Sequence, residues 1–322
     1  MTELLTRAVV AHGTPFMDFL VNTDHLPTQK DEGAHIVATS WQGGGKVSTG
    51  LAAYGQLGGV SAMTGIIGGD SYGQFLVKDF GRYQVDTSRL IVDGKTAFSV
   101  ILSDPVTKGR NIINHGPACR PYTLEDVDKA FLCSHKVLFI EQANALTHRL
   151  CDWMHEAGGK TYIDGDEYSE EMHAIVPKID IFVGSEFYYR SLFGGSENYE
   201  VNLRSLQKLG PEIVVFTFSD RGCAALWRGG YRYVPGHKIT VQDTLGAGDV
   251  YHGAYLNGLM RGMDPGESAR FANAVAAIKC MGIGGRASIP DYQMTMDFLR
   301  TGDFDRELIR QKTEFYATFS VK

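Results

Sequence analysis

The sequence predicts a doubly wound α/β fold, in which a mostly parallel sheet carries helices on both faces and a small β lid is added. The first observation behind this prediction is that short, almost continuously apolar runs recur along the 322 residues. Such runs are typical of strands that are covered on both faces of a parallel sheet. The second is that helical patterns separate the runs, as in βαβ units. The third is that many of the 38 glycines cluster beside the apolar runs, which indicates tight functional turns.

The elements follow one another in a regular order along the chain. The predicted strands cover residues 8–11, 61–67, 137–140, 161–164, 179–183 and 213–217. The predicted helices between them cover residues 48–57, 72–83, 124–131, 147–157 and 202–209. A hairpin signal around Gly229 and Gly230 then joins residues 224–227 to 231–234. Helices follow at 250–260, 267–280 and 292–299, and a charged helical tail begins at Asp305. No linker or internal repeat divides the sequence, so residues 1–322 are predicted to form one domain.

Two segments, residues 19–41 and 95–116, do not fit this alternation. Both contain more polar, alternating strand patterns, and neither has a crossover helix attached. We expect them to pair as a small sheet inserted in the main domain. Two interpretations are open at this stage: a lid over a site, or an extra antiparallel edge of the main sheet.

Composition limits the classes of function. Lys and Arg total 31 and Asp and Glu total 37, so the net charge is −6, which argues against binding nucleic acid or an anionic membrane through bulk charge. The five cysteines are widely spaced and form no CxxC pair, which favours neither a disulfide framework nor a zinc site. The N-terminal residues show no signal-peptide pattern, and no uncharged apolar run approaches the ~18 residues of a membrane span. We therefore expect a cytoplasmic protein without nucleic-acid or membrane partners.

The most informative segment is residues 243–249, Asp-Thr-Leu-Gly-Ala-Gly-Asp, directly before the predicted helix 250–260. The small residues Gly246, Ala247 and Gly248 leave backbone N–H groups uncovered at the start of the helix, where the helix dipole adds positive charge. This predicts an anion hole for a phosphoryl group whose charge grows during transfer. Asp249 would lie beside that group as the general base for an attacking hydroxyl. The alternative is that Asp249 is only an N-capping residue after a glycine turn.

Residues 243–249 resemble the DTxGAGD motif of the ribokinase-like (PfkB) carbohydrate kinases. Four further segments resemble motifs of the same family: residues 12–18, 43–46, 65–73 and 273–289. Residues 217–222 resemble its T-x-G-x-x-G nucleotide loop, with Ser219 in place of the middle glycine. Two departures from the wider family are Thr49, where many members carry Asn, and Glu186, which stands near their N-x-x-E glutamate. The resemblance implies a kinase that transfers the γ-phosphoryl group of ATP to a sugar hydroxyl, with a ketohexose-like sugar or a sulfosugar as substrate.

The resemblance also implies roles for individual residues. The sugar would be bound by Asp18, Gly44, Gly45, Lys46, Thr49 and Asn114. Three other polar residues of the suspected lid, Arg110, His115 and Arg120, are further candidates for the far end of the substrate. ATP would be bound by Thr217, Ser219, Gly222, Asn273 and Gly285. Mg²⁺ would be held through Asp164, Asp166, Glu186 and Asp243, of which Asp243 could instead order its turn or hold K⁺. A homodimer through the lids is a further expectation.

Other interpretations of the same residues remain open or are rejected. Residues 43–47 are not a Walker A loop, because Ser40 and Val47 occupy the positions of the first glycine and the final hydroxyl. A dinucleotide-dependent oxidoreductase is disfavoured, since no G-x-G-x-x-G follows the first strand. A nucleoside kinase on the same scaffold and a non-catalytic sugar or nucleotide sensor both remain as alternatives.

Overall fold

The computed structural model describes residues 8–104 and 110–318, and within them the main sheet has nine strands. Its strands are β1 (Val9–His12), β4 (Ser61–Ile67), β5 (Val85–Val92), β8 (Val137–Ile140), β9 (Lys160–Gly165), β10 (Ile181–Gly184), β11 (Ile213–Thr217), β12 (Gly222–Trp227) and β13 (Gly230–Pro235). The spatial order is β13-β12-β11-β10-β9-β8-β1-β4-β5. Only the pairings of β12 with β11 and β13 are antiparallel. The predicted doubly wound, mostly parallel sheet and the terminal hairpin are thus confirmed.

A second sheet of four strands is formed by β2 (Phe16–Thr23), β3 (Ile36–Gly44), β6 (Ala97–Ser103) and β7 (Arg110–His115), in the order β3-β2-β6-β7. We call this second sheet the lid. It shares no strand pairing with the main sheet, so the interpretation as an extra antiparallel edge is wrong. The first lid segment begins earlier than predicted, at Phe16, because Phe16 pairs with both Gly44 and Ala97.

The helices are α1 (Lys46–Gln56), α2 (Ser71–Arg82), α3 (Lys129–Cys133), α4 (Ala145–Glu156), α5 (Glu170–Ala174), α6 (Glu186–Phe193), α7 (Tyr199–Gln207), α8 (Ala247–Met260), α9 (Pro265–Lys279), α10 (Tyr292–Thr301) and α11 (Glu307–Thr318). Several begin at side chains that cap free N–H groups. Asp264, for example, accepts from Gly266 and Glu267 in a capping box that precedes Pro265.

The sequence prediction missed three elements and misplaced one. The strand β5 escaped because it lies at the edge of the sheet, where Asp, Thr, Ser and Arg interrupt the apolar pattern. The short helices α5 and α6 were also missed. The helix predicted at 124–131 is instead a 3₁₀ turn at Leu124–Asp126 followed by α3, because Asp128 caps a new helix by accepting from the Phe131 N–H.

The helices α1 and α8 cross each other in close contact. A Cβ atom on Gly253 would lie only 2.0 Å from the Gly50 carbonyl oxygen, so glycine at this position allows the two backbones to touch. This contact lies one to two turns inside each helix and therefore brings their N-termini together.

Candidate active site

The start of α8 is open, as the 243–249 motif predicts. Gly246 is the N-cap in the left-handed conformation, with φ +70°, and no side chain caps the helix. Gly248 is exposed, and a Cβ atom built on it would meet no atom within 4 Å. Among the described residues, the N–H groups of Gly246 and Gly248 donate to no protein acceptor, whereas the Ala247 N–H donates to the Thr244 carbonyl at 3.2 Å. The predicted contribution of the Ala247 N–H to the anion hole is therefore corrected: that donor closes the turn.

Asp249 lies in the first turn of α8, three residues after the cap. Because Gly246 holds the N-cap position, the alternative that Asp249 is only a capping residue is wrong. Burial raises the pKa of the Asp249 carboxyl group well above its usual range, and the nearby carboxylates of Asp164 and Asp166 raise it further, while the Lys46 ammonium lowers it. The side chain is half-buried by surface area, so water still reaches it, and we call the open space in front of Asp249 and Gly248 the cleft.

The C-terminal ends of the adjacent parallel strands β8 and β9 supply further carboxylates of this cleft, as is usual for ligand sites in α/β sheets. Asp164, at the end of β9, is 4% exposed and lies 3.2 Å from His252 Nε2. Although burial alone would raise the pKa of Asp164, His252 and then Lys46 lower it below its usual value. His252 is fixed in turn, because its Nδ1 lies 2.9 Å from the Tyr162 hydroxyl. It was not singled out in the sequence, although it is three residues after Asp249 and thus on the same side of α8.

Lys46 is the cation of the site. It is the first residue of α1, and its Nζ lies 2.7 Å from Asp166 Oδ2. Burial would lower the pKa of the ammonium, but Asp164, Asp166 and Asp249 raise it above its usual value. The side chain is 43% exposed, so it can turn from Asp166 to a bound anion. The Lys46 ammonium is therefore within electrostatic reach of Asp249 as well.

Glu141 is a site residue that sequence reasoning missed. It follows β8 directly, and its two carboxylate oxygens accept from the N–H groups of Thr14, at 3.1 Å, and Val47, at 2.9 Å. Burial raises its pKa to about 7, against the effect of these donors. The sequence offered one signal for this residue, namely a carboxylate directly after an apolar strand. Only the fold shows that Glu141 lies between the segment that follows β1 and the start of α1.

Asp18 lies on β2 of the lid and is 8% exposed. Burial raises its pKa to about 6, while the Arg286 guanidinium and the neighbouring Ser99 hydroxyl lower it. A Cβ atom on Gly44 would lie 2.1 Å from the Asp18 Oδ2 atom, so only glycine at position 44 allows the carboxylate to lie there. The register of the lid sheet sets Asp18 opposite Ser99, and Ser99 opposite Asn114, whose Oδ1 accepts from the Ser99 hydroxyl at 2.9 Å.

The remaining predicted sugar residues lie close to these groups. Gly45 precedes α1 with φ +86°, where a side chain would be strained. Thr49 is 2% exposed, and its Cγ2 lies 3.6 Å from the position of a Cβ atom on Gly246, so it packs beneath the anion hole. From the lid, Arg110 donates to the Thr244 hydroxyl at 2.5 Å. Leu20 and Ile101 of the lid form an apolar cluster with Leu245. The lid is therefore in contact with residues 243–249.

The predicted ATP residues fall into two places. Ser219 has φ +52°, a left-handed conformation at the position where the family motif has glycine. Gly222 has φ +99° and abuts the Val234 carbonyl, which also accepts from the Asn273 amide at 3.2 Å. Thr217 ends β11 just before this turn, so these four residues form one group. Gly285 lies elsewhere, because its Cα is 3.2 Å from the position of a Cβ atom on Gly246.

The four predicted metal carboxylates do not converge. Within residues 8–104 and 110–318, no group of three or more His, Cys, Asp or Glu side chains could hold a metal ion. Glu186 is paired with Arg190 and, at 2.9 Å, with Arg221, so its charge is already neutralised. Asp243 accepts from the N–H groups of Leu245 and Gly284, both at 2.8 Å. Only Asp164 and Asp166 remain together in the cleft.

None of the helices in the described part of the chain combines the length and the apolar character that crossing a bilayer requires.

Comparison with known proteins agrees with this arrangement. A family model for "pfkB family carbohydrate kinase" matches residues 7–292. An uncharacterised sugar kinase of Archaeoglobus fulgidus is 28% identical over 257 residues, covering 73% of this chain and 97% of its own. The ribokinase of Haemophilus influenzae is 24% identical, covering 87% and 96%. Arabidopsis thaliana ribokinase, solved with ribose and ATP, superposes with a TM-score of 0.78 at 21% identity, over 92% of this chain and 99% of that one.

Proposed function

This chain belongs to the pfkB family of carbohydrate kinases, and we propose that it transfers the γ-phosphoryl group of ATP to a hydroxyl of a ketohexose-like sugar or a sulfosugar, with Asp249 as general base. The observation that carries the proposal is the open N-terminus of α8 with Asp249 in its first turn. An anion-binding helix start next to a half-buried carboxylate supplies both requirements of phosphoryl transfer to an alcohol.

The sugar side of the cleft is assigned to the groups that cluster around Asp18. The carboxylates of Asp18 and Glu141 would accept hydrogen bonds from sugar hydroxyls. Asn114 of the lid would lie at the side of the same pocket, next to Ser99. The N–H groups near Gly44 and Gly45 would bound the same pocket. Because the lid contacts the 243–249 motif through Arg110 and Leu245, closure over a sugar would exclude water from the transferring phosphoryl group.

At the reacting centre, Asp249 would accept the proton of the attacking hydroxyl. The N–H groups of Gly246 and Gly248 and the dipole of α8 would stabilise charge on the phosphoryl oxygens. Lys46 would leave Asp166 to meet the γ-phosphate. These groups position the two substrates and stabilise the charge on the transferring phosphoryl group, so no covalent intermediate with the protein is required.

The nucleotide would lie between the Thr217–Gly222 turn and the start of α8, with Ser219 and Asn273 at its outer end. Asp164 and Asp166 fit a magnesium ion, because Mg²⁺ in phosphoryl-transfer sites is typically held by one or two carboxylates and the phosphates themselves. When bound there it would neutralise the β- and γ-phosphates. Glu186 is assigned a different role: through Arg221 it would fix the nucleotide turn.

A homodimer through the lids is part of the proposal. Four large apolar side chains are exposed on its two edge strands, namely Ile36 at 63%, Val37 at 69%, Ile112 at 46% and Ile113 at 60%. An apolar edge of this kind favours association over free exposure to water. Sedimentation velocity of the full chain should give twice the 35.4 kDa monomer mass, and a monomer at micromolar concentration would remove this part.

The experiment is a coupled ADP-release assay over ketohexoses, aldopentoses, sugar acids, sulfosugars and nucleosides. Asp249→Asn should lower kcat by about 10²–10⁴-fold, the scale of general-base catalysis, with ATP affinity nearly unchanged. The matched control is Asp291→Asn, which alters an aspartate that only caps α10 through the Met294 N–H. Wild-type turnover by the Asp249→Asn variant would reject the assignment of Asp249 as the general base. Turnover restricted to nucleosides would favour the alternative that the protein is a nucleoside kinase. The absence of turnover on every compound of the panel would favour the non-catalytic sensor.

A second variant tests the anion hole itself. The space beside Gly248 is empty, so Gly248→Val would place an isopropyl group where phosphoryl oxygens are proposed to bind. We expect loss of turnover together with weaker ATP binding by calorimetry, while the far-ultraviolet circular dichroism stays the same. Unchanged ATP affinity and turnover would show that the phosphates bind elsewhere.

A further inference from the structure

Asp243 joins two loops behind the anion hole. Its N–H and that of Gln242 donate to the Cys280 carbonyl, at 3.2 Å and 2.8 Å. Its two carboxylate oxygens accept from the N–H groups of Leu245 and Gly284. Asp243 and Gln242 therefore hold the loop that leads to Gly246 against the loop that follows α9.

Lys279, the last residue of α9, completes this junction. It has no exposed surface, and its ammonium donates to the Asp243 carbonyl oxygen at 3.0 Å. The carbonyl of Lys279 accepts from the Ser288 hydroxyl at 2.7 Å, which ties the far end of the same loop. A full positive charge in a fully buried place is costly unless negative groups face it.

The charged groups around the Lys279 ammonium are few. Asp243 and Asp249 stabilise its charged form, the Cys280 thiol adds to this, and Arg110 of the lid opposes it; burial is the largest effect and lowers the pKa of Lys279 below its usual value. The ammonium thus lies on the interior side of the phosphate-binding motif, within electrostatic reach of the carboxylate proposed as the base.

Family resemblance implies a K⁺ ion beside Asp243, and the residues present do not fit one. A buried K⁺ needs a shell of carbonyl and carboxylate oxygens that replaces its water. Here the Asp243 carbonyl accepts from an ammonium, both Asp243 carboxylate oxygens accept from N–H groups, and the Lys279 carbonyl is taken by Ser288.

We propose that the Lys279 ammonium takes the place of a monovalent cation at this junction, so that the chain needs no K⁺ to brace its anion hole. The covalently attached cation is always present, whatever the salt. The inference does not depend on which sugar is phosphorylated, and its test reads stability as well as nucleotide binding.

The first measurement uses the wild-type chain. Its thermal unfolding midpoint and its affinity for ATP with Mg²⁺ should be the same in KCl and in choline chloride at equal ionic strength. The midpoint should differ by less than about 1 °C, since a cation that binds only the folded state would raise it. A K⁺-dependent rise of several degrees in the wild type, or a K⁺ requirement for ATP binding, would overturn the proposal.

The second measurement uses Lys279→Ala, which removes the ammonium and leaves space. In choline chloride its unfolding midpoint should fall by roughly 5–10 °C, the effect of removing a buried charge that faces a carboxylate. K⁺ or ammonium chloride should restore at least half of that loss, because either ion can enter the vacated space. Failure of both ions to stabilise a folded Lys279→Ala would contradict the proposal.

Two control variants separate a cation effect from a packing effect. Lys279→Met is neutral but fills the space, so it should be destabilised and should not recover in KCl. Lys312→Ala removes a different lysine, which is only partly buried and whose ammonium donates to Gln56 Oε1 at 3.1 Å and to the Ile289 carbonyl at 3.0 Å, away from Asp243. It should not respond to K⁺. Equal rescue of all three variants by KCl would show a general salt effect and reject the assignment. If Lys279→Ala does not fold, the wild-type comparison alone decides.

Discussion

Replacement of Arg286 by Met should destabilise the protein more than the removal of any surface charge. Arg286 and Asp79 are 0% and 1% exposed, and their Nη1 and Oδ2 atoms lie 2.8 Å apart. The guanidinium also donates to the Gly44 carbonyl at 3.2 Å and the Ser48 hydroxyl at 3.1 Å. On the other side, Asp79 accepts from the Tyr316 hydroxyl at 2.6 Å, so the pair connects α11 to Gly44, which is proposed to border the sugar.

The magnitude follows from the charge that would be left behind. With Arg286→Met, the Asp79 carboxylate keeps the Tyr316 hydroxyl but loses the guanidinium with which it forms a buried ion pair, and breaking a buried pair of this kind costs about 3–5 kcal/mol. The double variant Arg286→Met with Asp79→Leu removes both charges and should be more stable than the single variant. Urea unfolding of the four chains of this cycle measures the coupling free energy.

Two further results test the same reasoning. Arg286→Met should raise the pKa of Asp18, because Arg286 lowers it, and should therefore raise the sugar KM more than it lowers kcat. Arg310→Met, on the exposed face of α11, is the control and should leave the urea midpoint unchanged. Purely additive effects in the cycle, or a double variant less stable than Arg286→Met, would refute the claim that the buried charges depend on each other.

The remaining predictions concern the carboxylates of the cleft. Asp164 raises and Lys46 lowers the pKa of Asp249, and a base must be deprotonated to act. Asp164→Asn should therefore move the acid limb of the kcat/KM profile to lower pH, and Lys46→Met should move it to higher pH. Shifts in the same direction would contradict this electrostatic account. Gly44→Ala should raise the sugar KM at least about 10-fold with ATP affinity retained, since its Cβ would displace the Asp18 carboxylate; an unchanged KM would remove Asp18 from the sugar site.

The local motifs could be predicted from the sequence because their chemistry is local. The left-handed turn at Gly246, the uncovered N–H of Gly248 and the carboxylate of Asp249 lie within four residues, so their relation is set by helix geometry alone. The same holds for the nucleotide turn, where Ser219 adopts the left-handed conformation that a glycine would favour. The strands of the main sheet were recognisable because burial on both faces demands continuous apolar runs.

Residues whose role depends on distant partners were missed. Glu141 and His252 each look ordinary in the sequence, and they become site residues only because β8 ends and α8 begins near Lys46 and Asp249. Glu186 was assigned to a metal on the basis of resemblance, yet two arginines occupy it. The edge strand β5 escaped since its outer positions need not be apolar.

The sequence by itself therefore determined the layered α/β architecture, the family and the open, uncapped start of α8, since propensity, periodicity and turn geometry act over a few residues. Only the tertiary structure decided which charges face one another: Asp164 with His252, Asp166 with Lys46, and Asp79 with Arg286. Electrostatic energies depend on distance and burial, and both are set by chain segments that lie up to 207 residues apart in the last pair.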